Sequence, residues 1–251
     1  MSARGDGNVE MLGRTNVGHV RESNEDSYLV AQDLGLVVVA DGMGGHAGGE
    51  VASAIVVESI EREIRAIGAF ARAAPALALT AAIRAANDAV RQEGVEKPAL
   101  RGMGSTVVCA LVIEGIAHVA HAGDSRAYKI VGPASDAKIE RLTRDHSLVE
   151  EYLRENPGAS EDDLDGVYRH LVTRAVGAAP VLEVDVVEVA CNPGDVLLFC
   201  SDGLTGPVSD AEIATIVAAN AELEGAAKSL IDAALDAGGP DNVTVALVRV
   251  R

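Results

Sequence analysis

An apolar run that ends in an acid and a glycine-rich turn lies near the start of the chain: Leu36-Val37-Val38-Val39-Ala40-Asp41-Gly42-Met43-Gly44-Gly45-His46. The β-branched run bounded by glycine predicts a buried strand. A carboxylate at the end of such a strand is held in place, and the glycines let other groups approach its backbone closely. Asp41 is therefore a candidate metal ligand. Asp-Gly is also a common turn signal, so the alternative of a simple turn stays open at this point.

The composition is that of a globular protein with an aliphatic core. The 251 residues include two Phe, four Tyr and no Trp. This length can bury most of its apolar surface in one large domain, and we predict a single domain over residues 1–251. The formal net charge of −17 disfavours nucleic acid and anionic membranes as partners. It is compatible with a protein that handles cations.

The cysteines and the apolar segments indicate the compartment. Cys109, Cys191 and Cys200 form no CxxC pair, which disfavours disulfides and indicates a reducing environment. The first residues lack the apolar centre of a signal peptide, and no run of about 18 apolar residues could span a membrane. We expect a cytoplasmic monomer.

Hydrophobic periodicity predicts an α+β fold. Helical spacing covers two pairs of segments that are far apart in the sequence: 49–67 with 75–94, and 209–217 with 223–237. The third segment begins with a capping box, Ser209-x-x-Glu212. Strand patterns cover 9–13, 27–31, 36–40, 105–113, 116–122, 127–131, 182–190, 196–200 and 243–250. The short connections between 105 and 131 predict an antiparallel meander. The strands are then expected to pack as two sheets between helix layers.

Residues 145–172 interrupt this pattern. His146 to Asn156 predict a helix, and the following segment is acidic and loop-like. We interpret residues 145–172 as a surface flap that could contact a substrate.

Four aspartates share one arrangement. Asp41, Asp202 and Asp241 each border a strand and a glycine-containing turn, and Asp124 lies between Gly123 and a strand. Each one alone is explained as a turn residue. If the strand ends converge, their carboxylates face one another, which is unfavourable unless protons or cations neutralise them. Mg²⁺ and Mn²⁺ prefer such oxygen ligands. The pattern does not by itself decide whether these residues converge.

Six ordered blocks carry a family resemblance: Arg21-x-x-Asn24-Glu25-Asp26, Ala40-Asp41-Gly42-Met43-Gly44-Gly45, Gly104-Ser105-Thr106, Gly123-Asp124-Ser125-Arg126, Ser201-Asp202-Gly203-Leu204 and Gly239-x-Asp241-Asn242. Their order and separations resemble the metal-dependent protein phosphatases, the PPM family of type-2C serine/threonine phosphatases, and in particular its compact bacterial members. The resemblance extends from Val9 to Arg251. It implies a central antiparallel β-sandwich flanked by helix pairs on both sides, a four-layer αββα arrangement.

The resemblance also implies roles for the metal-binding residues. Asp41 would bridge two Mn²⁺ or Mg²⁺ ions, and the Gly42 carbonyl would bind one of them. Asp202 and Asp241 would hold the other ion. Asp124 would bind a third, weaker one.

Three further residues match family positions around these ions. Glu25 and Asp26 would act through waters bound to the metals. Arg21 would bind the phosphate, which suits the planar fork of a guanidinium.

The implied activity is hydrolysis of phosphoserine and phosphothreonine in proteins by a water activated between the two ions. The implied partners are phosphorylated proteins, including a serine/threonine kinase and its substrates. Two alternatives stay open: a catalytically weak regulatory domain with a phosphatase fold, and a phosphatase of an anti-sigma antagonist.

One residue departs from the pattern of many eukaryotic relatives. Met43 occupies the place of a histidine that is thought to protonate the leaving group there, and methionine cannot transfer a proton. A metal-bound water is the expected acid, and His46 is the alternative.

Overall fold

Two antiparallel sheets form the centre of the structure, a computed structural model that describes residues 9–44, 48–160, 163–164, 168 and 171–251. The first sheet contains, in spatial order, β1 (Val9–Asn16), β11 (Val243–Val250), β10 (Val196–Cys200), β7 (Arg126–Val131) and β8 (Lys138–Arg141). The second contains β2 (Asp26–Ala31), β3 (Leu36–Met43), β5 (Val107–Ile113), β6 (Ile116–Ala122) and β9 (Asp185–Ala190). A short strand, β4 (Gly104–Ser105), pairs with β3 beyond β5.

The helices lie in two groups that are far apart in sequence. The first group is α1 (Gly48–Ile67), the short α2 (Ala69–Ala73) and α3 (Pro75–Glu96). A single helix, α4 (Leu148–Glu155), lies within the predicted flap. The last group is the short α5 (Asp202–Thr205), then α6 (Asp210–Ala219) and α7 (Leu223–Asp236).

Three hydrophobic clusters separate four layers. Alternate residues of β3 face opposite ways, so Val37 and Val39 pack between the two sheets with Phe199, whereas Val38 packs under α1 and α3. On the other side, α6 and α7 cover the first sheet around Leu198. The predicted αββα β-sandwich is confirmed, with an aliphatic core as the composition indicated.

The predicted meander is wrong in one connection. β5 and β6 form the expected hairpin, but β7 pairs with β10 in the opposite sheet. The crossing occurs at Gly123, whose φ of +118° and close contact with Thr106 favour glycine. Strand β8, in the first sheet, was not predicted because its sequence Lys-Ile-Glu-Arg is largely polar.

The capping prediction for α6 is confirmed, because the Ser209 hydroxyl accepts a hydrogen bond from the Glu212 amide at 3.3 Å. Helix α4 begins at Leu148, two residues later than predicted, because Ser147 caps it through the Glu150 amide. Parts of the flap prediction, residues 161–162, 165–167 and 169–170, lie outside the described residues. The flap therefore stays a prediction.

Candidate metal centre

Strand β3 carries Asp41 out of the core and into a cleft. Asp41 and Gly42 lie within the strand, so the alternative of a simple Asp-Gly turn is wrong. The Asp41 carbonyl accepts hydrogen bonds from the Thr106 amide at 2.8 Å and the Ser105 hydroxyl at 3.0 Å. The Asp41 amide donates to the Thr106 hydroxyl at 3.1 Å. These bonds fix the backbone that presents the carboxylate.

Gly42 is tightly enclosed. A Cβ at this position would lie 2.0 Å from the Gly49 carbonyl oxygen and 2.7 Å from that of Glu25. The Gly42 amide donates to the same Glu25 carbonyl at 3.1 Å. A side chain is therefore excluded by backbone atoms, which explains the glycine sterically.

The other candidate carboxylates arrive from different elements. Asp202 is the first residue of α5 directly after β10, and Asp241 lies two residues before β11. Asp124 lies in the crossing between β6 and β7. Arg21 and Glu25 belong to the loop between β1 and β2.

One cleft of about 740 Å³ brings most of the predicted residues together: Arg21, Glu25, Asp41, Gly42, Asp124, Asp202 and Asp241. Met43, Gly44, Thr106 and two flap residues, Leu171 and Val172, complete its lining. Asp26 does not line this cleft. It is buried beside Asp41, to which it is paired in the β2–β3 ladder.

Burial and neighbouring carboxylates raise the pKa of Asp41 and Asp124. Burial, followed by the charges of Asp26, Asp202 and Asp124, raises the pKa of Asp41 well above its usual value. Burial and the charges of Asp202 and Asp145 raise the pKa of Asp124 to about 7. The clustered carboxylates therefore favour binding of a proton or a cation, which relieves their mutual repulsion.

Asp26 is the most enclosed of these acids. Burial raises its pKa to about 7, against the hydrogen bonds from Thr244 and Ser201, which lower it. Its Oδ2 accepts a bond from the Ser201 hydroxyl at 2.7 Å, whereas its Oδ1 is buried with no partner among the described residues. A buried carboxylate oxygen without a partner, beside several others, fits a divalent cation with oxygen ligands.

Arg21 lies at the rim. Its Nη2 donates to Asp241 Oδ2 at 2.8 Å, and about half of its side chain is exposed. This hydrogen bond, opposed by partial burial, raises the pKa of the guanidinium. Burial also raises the pKa of Glu25, which Arg21 partly offsets.

Two histidines near Asp124, His121 and His146, have hydrogen-bond partners within the fold. His146 Nδ1 accepts from the Gly123 amide at 3.1 Å, and His121 shares a 2.8 Å hydrogen bond with the Arg144 carbonyl. Their rings stack at 4.7 Å, and with Asp185 they are near enough to hold an ion. Arg174 already donates to Asp185 at 2.9 Å, which opposes a cation there. His46 lies outside the described residues.

Sequence reasoning assigned no role to Asn242. Its Oδ1 accepts from the Glu25 amide at 2.8 Å, and its Nδ2 donates to the carbonyls of Val17 and Ser23, each at 2.9 Å. Asn242 thus fastens the loop of Arg21 and Glu25 to the residue next to Asp241. Its place in the Gly-x-Asp-Asn block was the available signal.

Comparisons with known proteins agree with this geometry. A family model described as Protein phosphatase 2C matches residues 17–237. The serine/threonine phosphatase Stp of Listeria innocua is 35% identical over 239 residues, which cover 94% of this chain and 93% of that protein. The solved structure of Stp1 from Staphylococcus aureus aligns with a TM-score of 0.88 and 32% identity, covering 97% of this chain and 95% of that one.

A solved structure with metal is also similar. The catalytic domain of PstP, in complex with two manganese ions, aligns with a TM-score of 0.82 and 34% identity. The alignment covers 97% of this chain and 98% of that one.

The chain belongs to the protein phosphatase 2C family. This confirms the resemblance inferred from the six blocks, and with it the predicted class of enzyme, a protein phosphatase. Within the part of the chain that the structure describes, no helix combines the length and the apolarity needed to cross a membrane.

Proposed function

We propose that this protein hydrolyses phosphoserine and phosphothreonine esters in proteins with the help of two Mn²⁺ or Mg²⁺ ions. The observation that carries the proposal is the convergence of Asp41, Asp202 and Asp241 on one cleft with Arg21 at its rim. These residues come from both sheets and from positions up to 220 residues apart, as the Arg21–Asp241 contact illustrates. The raised pKa values of Asp41 and Asp124 supply a physical reason to bind cations there.

The carboxylates divide into roles. Asp41 and the Gly42 carbonyl would hold one ion. Asp41 would also bind the second ion, together with Asp202 and Asp241. Asp124 would offer a third, weaker site. When bound, such a pair of ions neutralises the phosphate charge and activates water for attack on phosphorus. Glu25 and buried Asp26 would orient waters around the ions.

Arg21 would bind the substrate phosphate. Its side chain already reaches into the cleft, and a guanidinium can donate two parallel hydrogen bonds to phosphate oxygens. Its present partner is Asp241, one of the proposed ligands, at 2.8 Å. Arg21 would keep the phosphate beside the acids while excluding alternative orientations.

The proton for the leaving alkoxide must come from a donor other than Met43. Met43 lines the cleft, but its thioether carries no proton to transfer. We propose that water inside the cleft supplies it.

We further propose that phosphorylated proteins, including a serine/threonine kinase and its substrates, are the partners of a monomeric, single-domain enzyme. Leu171 and Val172 bring the predicted flap to the cleft wall, where they could contact residues beside the phosphorylated one. Leu171 is also partly exposed, which makes it available to a protein substrate.

The test is phosphate release from a phosphothreonine peptide, with Mn²⁺ and with chelator. We expect metal-dependent release, and a loss of about 100-fold or more in kcat/KM for Asp202→Asn, since loss of a ligand exceeds the 10–100-fold typical of supporting residues. Asp232→Asn is the control, because Asp232 lies on α7 with about half of its side chain exposed and forms an ion pair with Lys228 on the same helix. Metal-independent release, or full activity in Asp202→Asn, would exclude the proposal. Peptide binding without release would instead support a regulatory domain.

A further inference from the structure

A second cleft, distinct from the metal centre, lies at the end of α3. It occupies about 420 Å³ between the last turns of α3, the 3-10 turn Pro98–Leu100, residues 101–103 and residues 177–178. We call it the α3 cleft. Val90, Val95, Pro98 and Met103 give it apolar walls, and Arg91 and Arg101 are its charged residues. No carboxylate is part of its lining among the described residues.

The side chains of the two arginines are unpaired among the described residues. Neither the Arg91 nor the Arg101 guanidinium makes a hydrogen bond or ion pair with any residue that the structure describes. Several other arginines are paired, as Arg65 is with Asp33 at 2.7 Å and Arg126 with Asp145 at 2.7 Å. The Arg91 and Arg101 guanidinium groups instead offer donors that no described residue occupies, beside one cleft.

We propose that the α3 cleft binds a small molecule that carries a phosphate, sulfonate or carboxylate on an apolar body. The volume lies within the roughly 300–1,000 Å³ of ligand sites, which are typically apolar with a few placed polar groups. Guanidinium forks match the oxygens of such anions in pairs. The apolar walls would contact the rest of the ligand.

The position of the α3 cleft makes this ligand a regulator of the metal centre. Met103, on the cleft wall, lies beside Gly44 and Gly48, since a Cβ on Gly44 would be 3.1 Å from Met103 Cα and one on Gly48 3.3 Å from Met103 Cβ. The next two residues, Gly104 and Ser105, pair with Met43 and Gly42. A ligand that orders residues 101–103 therefore acts on the segment that holds the backbone of the metal centre.

Binding can be tested by ¹⁹F NMR titration of the full chain with 4-fluorobenzenesulfonate, which this enzyme class cannot hydrolyse as a phosphate ester. We expect saturable binding that weakens as salt is added, since exposed charges are screened. The double variant Arg91→Gln/Arg101→Gln should bind at least 10-fold more weakly. Arg84→Gln removes the same charge from the exposed side of α3, outside the cleft lining, and should bind like the parent.

The thermal midpoint controls for loss of binding by unfolding, because neither arginine side chain makes a hydrogen bond or ion pair with a described residue that the substitutions would break. The double variant should keep the thermal midpoint of the parent. No saturable binding by the parent, or equal binding by the double variant, would overturn the proposal. This readout needs no turnover, so it stands or falls separately from the phosphatase activity.

Regulation has its own readout. Coupling between two sites is reciprocal, so Mg²⁺ should change the affinity for 4-fluorobenzenesulfonate, and the sulfonate should change the affinity for Mg²⁺ by the same factor. We expect a change of at least about threefold between Mg²⁺ and chelator. An unchanged affinity would refute the regulatory role.

Discussion

Asn242 offers the sharpest test of how the fold holds the loop of Arg21 and Glu25 beside the candidate metal centre. Its side chain makes three hydrogen bonds to the backbone of Glu25, Val17 and Ser23. The side chain is 5% exposed, so water does not compete for these bonds in the folded state. Asn242→Ala removes all three, whereas Asn242→Asp keeps the acceptor and replaces the donor with an oxygen that faces two carbonyls.

The expected magnitude follows from these bonds. Each contributes about 1 kcal/mol net, so Asn242→Ala should lower the free energy of unfolding by about 3 kcal/mol. For a chain of this size that corresponds to a fall of about 6–12 °C in the thermal midpoint. Asn242→Asp should be at least as destabilising at neutral pH, and its defect should diminish in acid, where protonation restores a donor.

Urea unfolding with amide hydrogen exchange of residues 17–25 measures both effects. Asn16→Ala is the matched control, because Asn16 accepts one such bond, from the Gly18 amide at 2.9 Å. Asn16→Ala should lower the free energy of unfolding by about 1 kcal/mol. If Asn242→Ala were no more destabilising than Asn16→Ala, and the loop amides exchanged as in the parent, Asn242 would not be the fastening residue.

Three further predictions concern the cleft. Arg21→Lys should lower kcat/KM for a phosphopeptide about 10-fold, and Arg21→Ala should lower it by more. The thermal midpoint should change little, because the exposed Arg21 ion pair contributes about 0–1 kcal/mol to stability. An unchanged kcat/KM would contradict this prediction. The pKa values of Asp26 and Asp124, about 7 when folded, exceed the unfolded value of about 3.9. Chelated protein should therefore be most stable in acid and lose stability as the pH rises from about 4 to about 7, a trend that a flat profile in thermal scans would exclude. Gly42→Ala should abolish metal binding, measured by calorimetry, or folding, measured by circular dichroism, because its Cβ would lie 2.0 Å from a carbonyl oxygen. A stable variant that binds metal would contradict this prediction.

Much of the fold follows from local pattern. β5, β6, β10 and β11 were predicted because long apolar runs bounded by turns have few alternatives. The crossing after β6 was not predictable, since the same short connection can lead to a neighbouring strand or to the opposite sheet. β8 was missed because its pairing with β7, and not its own hydrophobicity, makes it a strand.

The candidate site, like the fold, was predicted in part from local sequence. Local sequence placed Asp41 at the end of a strand, but it could not show that Asp202 and Asp241, from the other sheet, meet it. That convergence depends on how the two sheets pack. The resemblance supplied it, whereas Asn242 was missed because its role lies in contacts with residues more than 200 positions away.

The metal centre is also a junction between the sheets. Ser201, after β10 of the first sheet, donates to Asp26 at the start of β2 in the second, at 2.7 Å. The same junction concentrates carboxylates whose mutual repulsion and burial weaken it when no cation is present. A ligand at 100 times its Kd contributes about 2.7 kcal/mol to folding, and a bound cation would also relieve the repulsion between these acids. The residues that we propose as metal ligands would therefore also make the contact between the sheets depend on the bound ions.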